Sequence, residues 1–114
     1  MIKNILILFF FFVYGSVAQE QDPISLPDNA VYIDVRTWIE YKVDHIDGDT
    51  RIHVSDIVDG VNEQFPDKST PIRLYCARGV RSSRAVDRLK EQGYLDVQNI
   101  GGINDARKLR GITK

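Results

Sequence analysis

Two apolar rhythms alternate along the chain from about residue 30 onward. Ala30-Val31-Tyr32-Ile33-Asp34-Val35 is a short, largely β-branched run preceded by the turn formers Pro27-Asp28-Asn29, the pattern of a buried strand. Thr37-Trp38-Ile39-Glu40 has the spacing of a capping box, in which a hydroxyl and a carboxylate each satisfy an unpaired amide, so a short helix is predicted through about Val43. Asp47-Gly48-Asp49 predicts a turn, and Arg51 to Val54 a brief strand ending at Ser55, a suitable N-cap. Ile57, Val61 and Phe65 fall four apart on one helical face, and the segment Pro66 to Pro71 is dense in turn formers. Ile72 to Tyr75, too short for a helix, reads as another strand. Ser82 or Ser83 opens the next predicted helix, with Ala85, Val86 and Leu89 as its apolar stripe and Gly93 as its stop. Val97 to Ile100 is a last short strand, Gly101-Gly102 a tight loop, and residues 103–114 a basic, weakly helical tail.

Strands and helices alternating over short connections predict an α/β fold with a mainly parallel central sheet and helices on both faces. Ligands of such sheets sit beyond the carboxyl ends of the strands. Cys76 falls at one of those ends.

The first residues follow a different rule. A short basic start, an unbroken apolar run from Ile5 to Tyr14, and small residues up to Ala18 have the layout of a secretory signal peptide. Residues 1–18 are therefore expected to be removed during export to the periplasm, leaving 19–114 as one domain. The apolar run is shorter than the roughly 20 residues of a spanning helix, and no cysteine follows it to carry a lipid, so no stable membrane anchor is expected after cleavage. The remainder is near the lower end of domain size, with space for one core. Fifteen basic residues against sixteen acidic ones give a net charge of −1. With the basic residues spread along the chain, nucleic acid is not an expected partner.

Composition then narrows the chemistry. The single cysteine cannot form an internal disulfide, and one cysteine with two separated histidines does not make a zinc site; no metal or other cofactor is expected. Cys76-Ala77-Arg78-Gly79-Val80-Arg81, followed by Ser82, links a buried strand to a helix start. Reversing direction in so few residues curls successive N–H groups inward into an anion-binding concavity, with Gly79 able to take positive φ. The helix adds roughly half an elementary positive charge, and Arg78 and Arg81 flank the loop. These features favour the thiolate of Cys76. An anionic persulfide fits the same surroundings, so an anionic donor such as thiosulfate would leave its outer sulfur on Cys76, and a thiophilic acceptor would remove it.

Asp34-Val35-Arg36, Glu40, His45-Ile46-Asp47-Gly48, the Cys76–Ser82 loop, Ala85, Leu89, Gly93-Tyr94 and Gly101-Gly102 together resemble the rhodanese domains in order and spacing. The small periplasmic, phage-shock type is the nearest in layout. The resemblance implies a rhodanese fold and thiosulfate sulfurtransferase activity, with Cys76 as nucleophile, the amides of residues 77 to 81 as the cradle, and cyanide or a thiol as acceptor. Rhodanese-fold phosphatases and arsenate reductases use a longer loop, whereas only four residues separate Cys76 from Arg81. A non-catalytic module that holds sulfur or binds a partner is the alternative. Against the family pattern, Asp49 replaces a small residue, Ile52-His53-Val54 replaces an Asn-Ile-Pro-like stretch, and Ala106-Arg107 stands where an aromatic residue is common.

Other residues carry plainer expectations. Asp34 is a candidate support that either orients a loop arginine or secures backbone at its strand end. Arg36 and Glu40 are expected to form an ordinary surface pair. His45 and His53 are assigned structural roles, and Trp38 and Tyr41 the core or rim of the first helix.

Overall fold

The computed structural model describes residues 22–114, so the expected signal peptide lies outside the described residues. Four strands, β1 (Val31–Asp34), β2 (Thr50–Arg51), β3 (Ile72–Cys76) and β4 (Val97–Gly102), form a sheet in the order β2-β1-β3-β4. Every pairing is parallel. The helices are α1 (Trp38–Val43), α2 (Ile57–Gln64), α3 (Val80–Glu91) and α4 (Ile103–Arg110), with a 3₁₀ turn at Val54–Asp56.

Side-chain alternation divides the core in two. Ile33, Ile72, Leu74 and Cys76 pack with α2 and α3 through Ile57, Val61, Ala85 and Leu89. Tyr75 and Ile100 pack instead with Ile103 and Ala106 of α4. Both sheet faces are thus covered, as a parallel sheet requires, and Cys76 points toward the α2/α3 face.

Several local expectations need correction. The strand predicted at Arg51 to Val54 is regular only at Thr50–Arg51; beyond it, Ile52 still donates to the carbonyl of Asp34, the last residue of β1 (3.0 Å), and Val54, where the 3₁₀ turn begins, donates to that of Val35 just after it (3.1 Å). His53 caps that turn by accepting from the Ser55 N–H, so Ser55 is not the N-cap. The tail is not weakly helical: α4 is a regular helix closed by Gly111 at φ 67°. Its Ile103 and Ala106 reach the second core, while Arg107 and Arg110 pair with Asp44 and Asp49. Gly101-Gly102 is not a loop but the end of β4.

Candidate active site

Cys76 ends β3, where the register to β4 shifts so that Cys76 lies opposite Gly102. Its residue is 1% exposed, yet polar groups converge on the sulfur. The Gly79 N–H donates to Sγ at 3.0 Å, and Ser82 Oγ lies 3.4 Å away. Burial pushes the thiol up; the Ser82 hydroxyl, together with backbone hydrogen bonds from Ser82, Arg78 and Gly79, more than offsets it. The outcome is a Cys76 that ionises below the ordinary value of 9.0. A buried sulfur ringed by donors differs from an inert core thiol in just this respect.

The loop owes its curl to glycine. Gly79 has φ 97° and occupies the N-cap of α3, which therefore starts at Val80, not at Ser82 or Ser83 as predicted. The earlier start places Ser82 inside the first helical turn, buried, with its hydroxyl directed at Cys76 and at Asn99 Oδ1 (2.7 Å). Asn99 of β4 also donates from Nδ2 to the Gly79 carbonyl at 2.9 Å and accepts from the Gly101 N–H at 2.9 Å. One amide thus holds both sides of the loop, although nothing in the spacing singled it out.

Gly102 allows the loop to lie against β4. A methyl group there would enter the space of the Ala77 carbonyl, and one on Gly79 would meet Gly101 at 3.4 Å. A glycine pair in a strand often marks such a close backbone approach, and that was the available signal.

The two loop arginines have different surroundings. Arg81 makes a two-pronged ion pair with Glu40 of α1 (2.7 and 2.9 Å), which holds the Glu40 carboxyl down to about 2. The Thr37–Glu40 capping box forms as well, so the same carboxylate serves α1 and the loop. Arg78 is exposed and reaches no carboxylate among the described residues. Ala77 and Val80 are exposed at the loop rim.

Arg36 and Glu40 are therefore not partners. Arg36 is buried, and Asp34 binds its backbone N–H (3.0 Å), Nε (2.9 Å) and Nη2 (2.8 Å), while Nη2 also donates to the Asp44 carbonyl. Asp34 thus fixes the chain leaving β1 and meets no loop arginine. His45 Nδ1 faces the Tyr41 carbonyl at 3.0 Å, and His53 faces Ser55. Trp38 is 55% exposed and stacks on Tyr41, at the rim of α1 instead of in a core.

Comparison with known proteins agrees with this geometry. The Rhodanese-like domain model matches residues 18–108. Thiosulfate sulfurtransferase PspE of Escherichia coli is 35% identical over 83 residues, covering 71% of this chain and 80% of that protein. The uncharacterized protein YqhL of Bacillus subtilis is 38% identical over 73 residues, 64% of this chain and 56% of that one. A solved structure described as a rhodanese with anions from E. coli superposes with a TM-score of 0.64 at 33% identity, covering 67% of this chain and 89% of that chain. A tight loop that turns backbone amides onto a lone cysteine, a parallel sheet covered on both faces, and these matches together place the chain in the rhodanese-like family.

Proposed function

We propose that the protein is a thiosulfate sulfurtransferase working through a Cys76 persulfide. The observation that carries this reading is the Gly79 N–H at 3.0 Å from Sγ, seconded by the Ser82 hydroxyl, in a loop with only four residues between Cys76 and Arg81. The Cys76 thiolate attacks the outer sulfur of thiosulfate; the S–S bond breaks and sulfite leaves with its electron pair. The persulfide anion left on Cys76 rests in the same ring of donors, which suits a charge moved outward by one bond. Cyanide or a thiolate then attacks the outer sulfur, and Cys76 departs as thiolate, ready for the next cycle. The similarity to an E. coli thiosulfate sulfurtransferase supports this choice of donor.

Thiocyanate formation from thiosulfate and cyanide tests the reading. Turnover that disappears in Cys76→Ser is expected, with no comparable hydrolysis of an aryl phosphate; aryl phosphate turnover above that on thiosulfate would reverse the assignment. The near-complete burial of Cys76 favours one second reading, a carrier that holds sulfur without turnover. Its mark would be a single round of transfer followed by arrest. The pattern of residues 1–18 supports export to the periplasm. N-terminal sequencing of the mature protein should begin at Gln19, and an intact Met1 would contradict this.

A further inference from the structure

A cavity of about 1050 Å³ opens beside the cysteine loop, between the starts of α3 and β4's outer edge and α4. Its apolar lining includes Ile24, Val80 and Leu109, which are 42%, 68% and 46% exposed. Such clustered apolar exposure on a small domain marks a contact surface. Its charged lining is mainly cationic, through Arg78, Arg84 and Lys108. Five other arginines, at positions 36, 73, 81, 107 and 110, each end on a carboxylate. These three cations do not pair with any carboxylate among the described residues. The lone acid of the cavity, Asp105, is engaged by the Gly102 N–H at 2.8 Å. Three cations and one carboxylate leave the cavity at a net charge of +2. Gly79 belongs both to this lining and to the sulfur cradle, so the cavity adjoins the reacting atom without containing Cys76.

Apolar walls, unneutralised cations and adjacency to the sulfur have one common solution. The geometry points to this groove as the acceptor subsite, shaped for a small thiol that carries a carboxylate on an apolar body. The volume suits a ligand of ordinary metabolite size, and like-signed charge in a cleft concentrates an oppositely charged ligand. The carboxylate meets Arg84 and Lys108, the apolar body lies on Leu109, Ile24 and Val80, and the thiol end approaches the loop past Arg78. Transfer there is balanced: the acceptor thiolate attacks the outer sulfur of the Cys76 persulfide, the S–S bond breaks, the acceptor leaves as its own persulfide, and Cys76 becomes thiolate. No oxidant or reductant is consumed.

This inference rests on the sulfur-transfer reading, and the test separates the two. The full mature chain is loaded with thiosulfate or with inorganic polysulfide, loading is measured by intact mass, and transfer is then followed to ω-mercaptooctanoate and to its neutral counterpart ω-mercaptooctanol. The groove predicts a kcat/KM roughly tenfold higher for the carboxylate at low salt, shrinking as screening rises. In Arg84→Gln/Lys108→Gln that advantage should fall to within about twofold, with loading and transfer to the alcohol unchanged. Normal loading with equal rates for the two acceptors, or an advantage that survives the double substitution, overturns the acceptor groove alone. Failure to load with either donor overturns the sulfurtransferase reading and this one with it.

Discussion

The Ser82 hydroxyl has one hydrogen and two acceptors within reach, Asn99 Oδ1 at 2.7 Å and Cys76 Sγ at 3.4 Å. With a thiol at position 76 the shorter bond to Asn99 is the better use of that hydrogen; with a thiolate or persulfide the charge competes for it. Alkylation of Cys76 followed against pH should therefore show a midpoint below 9.0, the direction set by the donors around Sγ. Ser82→Ala should raise that midpoint by roughly one pH unit, since a hydrogen bond to the charged form is lost. An unchanged midpoint would mean that the backbone amides alone hold the sulfur. Cys76 and Gly79 were legible in the sequence because a lone nucleophile and a glycine at a sharp turn have few other uses. Asn99 was not, because its role depends on partners at positions 79 and 82 that only the folded sheet brings to it.

At the scale of elements, the loop is held between α1 and β4. Glu40 closes the α1 capping box and clamps Arg81, so one carboxylate sets both the helix and the loop that faces it. Because folding holds the Glu40 carboxyl down to about 2 against an ordinary 4.5, its contribution to stability is complete above about pH 4.5 and is lost as pH falls through about 2. Glu40→Gln should cost ~1 kcal/mol near neutral pH by chemical denaturation, a difference that closes at the acid end of that window. A gap that persists unchanged at pH 2 would assign the loss to packing instead of charge. On the other side, Gly102→Ala keeps an allowed backbone but drives a methyl into the Ala77 carbonyl. Overpacking of this kind costs about 1–3 kcal/mol, and sulfur loading should fall more than stability accounts for; undiminished loading would show that the loop tolerates displacement. The strands and α1 were readable from apolar runs and a capping box, which are local signals. The start of α3 was misread because Ser82 and Ser83 look like caps, whereas Gly79 fills that position through its φ and frees Ser82 for the sulfur.

Across the whole molecule, the two sheet faces are stabilised differently. The α2/α3 face is a conventional apolar core around Leu74 and Val61. The other face carries Arg73 at 0% exposure near the start of β3, hydrogen-bonded to the Ser25 carbonyl (2.6 Å) and the Asp96 carbonyl (3.1 Å) and ion-paired with the Asp96 carboxylate (3.0 Å). Strand periodicity placed Arg73 in β3 but could not reveal that a segment some fifty residues earlier satisfies it. Arg73→Met should therefore release the segment around Ser25, with faster amide exchange there and a loss of ~2 kcal/mol; retained protection at Ser25 would contradict that tie. Two departures from the family pattern are accounted for at this scale. Asp49 accepts from Tyr75 Oη (2.6 Å) and Arg110, and Arg107 pairs with Asp44, so polar contacts fasten α4 where other chains carry small and aromatic residues.

The folded molecule as a whole makes negative sulfur at position 76 favourable by turning peptide dipoles and a hydroxyl onto it inside an otherwise apolar layer. Intact-mass measurement of the purified protein after thiosulfate treatment tests this most directly. A gain of one sulfur atom, removable by cyanide and absent in Cys76→Ser, is the predicted result. An unchanged mass with the fold intact would contradict it.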